Sequence, residues 1–92
     1  MIVASSIVCR NADILFSVVD DEMLAIDAPE GYYYSLNEPA GRVWELIEHP
    51  RSVDDICARL CEEFAVDQST CMRDVVQLLQ GLQQSGLVQV DE

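Results

Sequence analysis

From Ile14 the chain alternates: Ile14, Phe16 and Val18 interleave with Leu15, Ser17 and Val19, the two-residue period of a strand. Asp20, Asp21 and Glu22 supply a polar turn, and Met23 to Asp27 reads as a second strand with Leu24 and Ile26 on one face. Ala28-Pro29-Glu30-Gly31 is a turn signal, Pro presetting φ and Gly free to take a positive one. Tyr32 to Leu36 follows as a third strand, rich in the aromatics that pleated surfaces favour. Three short strands with tight connections predict an antiparallel meander. Residues 1–12 carry no clear period and read as an edge strand or a loosely packed arm.

The period changes at Asn37. Asn37 or Glu38 can cap a helix whose first turn tolerates Pro39, since the missing N–H has no intrahelical partner there. Ala40, Val43, Trp44 and Ile47 then form an apolar stripe that ends at His49-Pro50. Ser52, with Asp55 three residues on, opens a second helix in an approximate capping box. Its apolar face is Val53, Ile56, Cys57, Leu60, Cys61 and Phe64. Asp67 or Ser69 opens a third helix running to about Ser85, with Gly86 as its C′ residue. At about 100° per residue, Cys71, Val75, Leu78 and Leu82 cluster, and Met72, Val76 and Leu79 widen the apolar arc to about 160°. That is broader than a short helix needs to lie on a small core. Gly81, inside the helix at a cost of about 1 kcal/mol relative to Ala, points to close packing on its side. Leu87 to Val90 adds a short last strand. The pattern predicts one α+β domain over residues 1–92: a three-stranded antiparallel sheet followed by three helices.

Charge narrows the partners. Seventeen acidic residues stand against five basic ones, a formal net charge of −12 in 92 residues. Nucleic-acid binding draws on Lys and Arg neutralising phosphates, and an anionic membrane surface would repel such a chain. No apolar run approaches the roughly eighteen residues of a membrane span, and the N-terminus lacks the basic region of a secretion signal. A cytoplasmic domain that binds polypeptides fits best. Cys9, Cys57, Cys61 and Cys71 then read as reduced, mostly buried thiols, because Cys57 and Cys61 sit four apart on a helix and no CxxC pair offers a metal site.

Catalytic chemistry is hard to find. The single histidine, His49, lies beside Pro50 in a loop, and the chain holds no Gly-rich phosphate loop, HExxH or GxSxG. The reading is a binding domain without catalytic residues, metal or cofactor. Trp44 belongs to the core stripe. In the Tyr32-Tyr33-Tyr34 run, alternation puts Tyr32, Tyr34 and Leu36 on one face and Tyr33 and Ser35 on the other. The core-facing set serves packing and cross-strand pairing. An exposed aromatic beside an open strand edge also suits an extended peptide adding as a further strand. The same edge leaves open a homodimer, including one made by exchanging the N-terminal arm, and a winged-helix interaction domain is the alternative function.

Gly31-Tyr-Tyr-Tyr-Ser-Leu-Asn37, Gly41-Arg-Val-Trp-Glu-Leu-Ile47, Ser52-Val53, Ile56, Phe64, Val66, Asp74-Val75 and Gly86-Leu87-Val88 together resemble the PqqD-like family, from about Ile14 to Val90. Its members are precursor-recognition elements for ribosomally synthesised, post-translationally modified peptides (RiPPs), including the stand-alone B1 proteins of lasso-peptide clusters. The resemblance implies a winged-helix-like fold in which a precursor's leader segment docks as an added strand on the third strand, against the third helix. Carried onto this sequence, the groove lies between Tyr32, Tyr33, Tyr34, Ser35 and Leu36 on one side and Cys71, Asp74, Val75 and Leu78 on the other. Met72, Val76 and Leu79 are the substitutes should the other edge of the arc face it. The implied partners are a leader peptide and separate enzymes, in lasso systems a cysteine protease and an ATP-dependent cyclase. PqqD proper carries a Pro-Glu-Arg-Val stretch where this chain has Pro29-Glu30-Gly31-Tyr32, which favours the lasso or an orphan peptide-modification branch.

Overall fold

A computed structural model describes residues 2–11, 14–19, 22–27 and 31–91. The predicted meander is present: β2 (Leu15–Val19), β3 (Glu22–Asp27) and β4 (Tyr32–Leu36) pair antiparallel in the order β2-β3-β4. The register stacks Leu15, Ile26 and Tyr33 in one cross-strand row and Phe16, Ala25 and Tyr34 in the next. Because strand neighbours point to opposite faces, the first row is the outer one: Leu15 is 60% exposed and Tyr33 67%, whereas Ala25 and Leu36 are buried. The face carrying Leu24 and Ile26 is therefore the outer face, and Met23 and Ala25 face the core. Most of both predicted connecting turns lies outside the described residues; Gly31 ends the second with φ +79°.

The N-terminal segment departs from expectation. Residues 1–12, read as an edge strand or arm, instead provide the middle strand of a second sheet. That strand, β1 (Ile7–Arg10), lies between two others introduced later in the chain, β5 (Arg51–Ser52) and β6 (Val88–Asp91), and both pairings are antiparallel. Val8 is fully buried. The inward position two residues on is Arg10, and a charged residue there hides the alternation. Its guanidinium is tolerated because it stacks on aromatics, 4.6 Å from the Phe16 ring centroid and 5.5 Å from that of Trp44. Arg10 thus ties the second sheet to the meander and to the first helix.

Three helices follow the meander, α1 (Glu38–Leu46), α2 (Val53–Glu63) and α3 (Gln68–Gln84), with α1 packed on β3 and β4, α2 on α1, α3 and β5, and α3 on β6. Each begins at a side-chain cap. Asn37 Oδ1 accepts from Ala40 N at 3.0 Å, Ser52 Oγ from Asp55 N at 3.1 Å, and Asp67 Oδ2 from Thr70 N at 3.2 Å. The first turn of α2 gains more from the N-terminal segment, where Ser6 O and Ala4 O accept from Val53 N and Asp54 N, each at 3.0 Å. Residues 2–10 are thereby built into the domain, with Ile2 and Ser6 buried. At its far end α3 stops in a Schellman turn: Gly86, φ +75°, donates to Gln83 O at 3.0 Å and Leu87 N to Leu82 O at 2.9 Å.

The core is the set of stripes read from the sequence, centred on Val43, Trp44, Ile47, Val53, Ile56 and Leu79. Cys57 and Cys71 are buried, Cys9 and Cys61 half-buried, and all four are free thiols. Gly81 does not pack closely against anything. A Cβ built there meets no atom within 4 Å, so this glycine faces open space.

Candidate functional site

The broad apolar arc of α3 is divided between two neighbours. Leu79 is fully buried and Met72 packs inward, its Sδ 4.0 Å from Cys57 Sγ. These residues, with half-buried Val76, supply the core edge. One helical step away, Cys71, Asp74, Val75 and Leu78 line a cavity of about 330 Å³. This is within the usual range for ligand pockets. Cys71, Asp74, Val75 and Leu78 share the cavity wall, and Met72, Val76 and Leu79 do not.

The other walls come from elements whose sequence gave no sign of them. Asn37, Pro39, Ala40 and Val43 contribute from the start of α1. Leu60, Phe64 and Val66 close the far side from the end of α2 and the segment after it, and Thr70 adds a hydroxyl from the first turn of α3. Ala40, Val43, Leu60 and Phe64 belong to stripes that read as core, because a residue facing a groove and one facing the interior share the same helical period. Val66 is 44% exposed, unusual for a large aliphatic residue in a short connection.

Strand β4 stands at the margin of its sheet. It pairs with β3, and among the described residues no strand lies along its other edge. Asn37 follows β4 directly and lines the cavity, so the strand's end and the cavity share a corner. The side chains of β4 are not themselves gathered into the cavity. Leu36 is buried in the core, while Tyr33 and Ser35 face outward; the side chains of Tyr32 and Tyr34 lie outside the described ones. What β4 offers is an exposed main-chain edge, suited to strand addition.

The cavity's chemistry is mostly apolar. Burial pushes the Cys71 thiol up to about 12, helped by the neighbouring thiols of Cys57 and Cys61, so at neutral pH it is a protonated, weakly polar wall group. Cys57 is raised by burial as well. Among the described residues, Asp74 is the one charged residue of the lining. Nearby, Arg42 Nε grips both carboxylate oxygens of Glu63 at 2.8 and 3.0 Å, joining α1 to α2 and holding the Glu63 carboxyl below its ordinary value. No group of three or more potential metal ligands is assembled among the described residues. None of the helices there is long and apolar enough to cross a membrane.

Two solved structures share this architecture. One, described as "TbiB1 in Complex with the TbiA(beta) Leader Peptide", superimposes with a TM-score of 0.79 at 26% identity, covering 88% of this chain and 94% of the other. The second, described as "Lasso peptide synthetase B1 complexed with the leader peptide", has a TM-score of 0.77 at 24% identity, covering 89% and 96%. No curated protein sequence matches the chain. The family model described as "Coenzyme PQQ synthesis protein D (PqqD)" matches residues 22–88. That span runs from the start of β3 through all three helices to the first residue of β6, and the chain belongs to the PqqD family.

Proposed function

We propose that this domain binds the leader segment of a ribosomally synthesised precursor peptide and presents the rest of that peptide to separate modifying enzymes. The leader adds as a strand along β4 and places apolar side chains in the cavity between α1, α2 and α3. The observation that carries this reading is the conjunction of an open strand edge with an apolar cavity at its end. Main-chain hydrogen bonds supply affinity and the cavity supplies selectivity. Two structural relatives described with leader peptides bound support it. The domain itself contributes no chemical step; the bond-breaking and ring-closing work falls to partner enzymes, in a lasso pathway a protease and a cyclase.

The test uses adjacent leucines. Leu78 lines the cavity and is half-buried, whereas Leu79 is fully buried. The probe is a fluorescently labelled leader from the precursor reading frame nearest the gene, titrated in fluorescence anisotropy. Wild type binds at low-micromolar affinity or tighter. Leu78→Asp keeps the native circular dichroism spectrum and loses binding by at least tenfold, because the leader's apolar anchor meets a carboxylate. Leu79→Asp buries that charge in the core and unfolds the domain. Native-like Leu78→Asp that binds as wild type does sinks the assignment of the groove.

A further inference from the structure

The cavity is apolar on nearly every side, and its neutral polar groups are Asn37 and Thr70. Among the described residues Asp74 alone brings a charge to the lining. Its nearest cation is the adjacent Arg73, whose Nε lies 3.6 Å from Oδ1, with both side chains well exposed at 72% and 63%. Such a surface pair is weak and readily exchanged. Of the other arginines, Arg42 pairs with Glu63, Arg51 with Asp55 and Arg10 with its two rings and Glu48, while Arg59, exposed on α2, acts on the Glu63 carboxylate. A net charge of −12 over the chain favours cationic over anionic ligands.

We propose that Asp74 sets the charge preference of the site: the accepted leader carries a Lys or Arg two residues from the apolar residue that fills the cavity. The inference rests on the leader-binding reading and adds the chemical class of the ligand to it. Asp74 and Leu78 are one helical turn apart, about 6 Å along the axis. Alternate residues of a strand are separated by roughly 6.7 Å and point the same way. A strand laid along α3 therefore presents an apolar anchor to Leu78 and, two residues away, a cation to Asp74. Nothing in the cavity would neutralise an acidic side chain at that position.

Selection of a display library of short random peptides on the folded full-length chain tests this, with Asp74→Lys, Asp74→Asn and Glu62→Lys selected in parallel. Glu62 is exposed on α2 and outside the cavity lining, so its variant changes net charge as Asp74→Lys does. Peptides enriched on wild type and on Glu62→Lys carry Lys or Arg two residues from an apolar anchor. Asp74→Asn loses that preference and Asp74→Lys inverts it towards Asp or Glu. For single peptides, replacing the cation by Glu weakens binding to wild type by about tenfold, and Asp74→Lys restores it. Apolar peptides enriched without charge preference overturn the role of Asp74, as does a basic preference that survives Asp74→Lys. Peptides retained equally by Leu78→Asp bind elsewhere, which overturns the groove reading and this inference with it.

Discussion

Arg10 offers the sharpest test of how the two sheets are held together. Its side chain is only 12% exposed, lies between Phe16 and Trp44, and reaches Glu48 Oε1 at a loose 3.6 Å. Two terms compete. Partly desolvated cation–π contacts contribute about 1 kcal/mol each. Against them, Arg10 Nη1 is a buried donor with no acceptor among the described residues, a cost of about 1–3 kcal/mol. The charge is therefore close to neutral in net effect, and what Arg10 supplies is volume: an aliphatic stem and a flat group filling the gap above Trp44. Arg10→Met keeps most of that volume and removes the orphan donor, so it stays within about 1 kcal/mol of wild type. Arg10→Ala opens a hole beside a fully buried tryptophan and destabilises by about 2–3 kcal/mol. In a domain of this size that lowers Tm by roughly 10 °C or more. Urea denaturation followed by Trp44 fluorescence measures both. Equal destabilisation by Met and Ala would show that the cation–π term dominates and that the reasoning from competing terms is wrong.

Other consequences can be checked on the same material. Gly81→Ala should raise stability by about 0.5–1 kcal/mol in urea denaturation, since the added methyl meets open space within a helix; a loss would mean the helix packs there after all. The Ser69 hydroxyl and the Thr70 N–H hold the Asp67 carboxyl below its ordinary value. Its contribution to folding is therefore present in full above the unfolded carboxylate value of about 3.9 and is lost as pH falls through the lower folded value. Asp67→Ala removes that part of the acid dependence of Tm, and an acid profile identical to that of wild type contradicts the cap. The Cys71 thiol, raised to about 12 by burial, holds far less thiolate at neutral pH than an ordinary cysteine. Iodoacetamide labelling read by mass spectrometry should therefore modify Cys71 in the native protein far more slowly than in urea. Native labelling within tenfold of the urea rate counts against its burial beneath the cavity.

The meander and the helices were legible because each carries a full period and explicit punctuation. Asn37, Ser52 and Asp67 mark the helix starts and Gly86 the end of α3, whereas the alternation of β2 and β3 marks the strands without fixing the buried face, since Leu24 and Ile26 lie on the outer one. The second sheet was legible only in its last strand, read at Leu87 to Val90 and found at Val88–Asp91. Its middle strand has four residues with an arginine facing inward, and its partner β5 has only two residues. No window that short separates a strand from a loop. Within the site, the width of the α3 arc signalled two neighbours, but periodicity could not say which of Leu78 and Leu79 met the core. That depends on how α2 packs against α3, a long-range contact. For the same reason Pro39, Ala40, Val43, Leu60 and Phe64 read as ordinary core or capping residues.

The placement of the caps bears on how such a site works. Asn37 both begins α1 and lines the cavity, and Asp67 begins α3 one turn before Thr70 and Cys71, which also line it. The residues that end the loops thus fix the positions of the cavity walls before any peptide arrives. Arg42 and Glu63 pin α1 to α2 in the same way. A preorganised site leaves most of the ordering cost to the ligand, an extended and otherwise unstructured segment. Strand addition recovers main-chain hydrogen bonds from any sequence, so it cannot discriminate between peptides. In the proposed binding mode, discrimination falls to the depth of the apolar cavity and to its few polar side chains, Asn37, Thr70 and Asp74. Of these only Asp74 carries a charge, so a single substitution there should change which peptides bind while leaving the architecture that holds them unchanged.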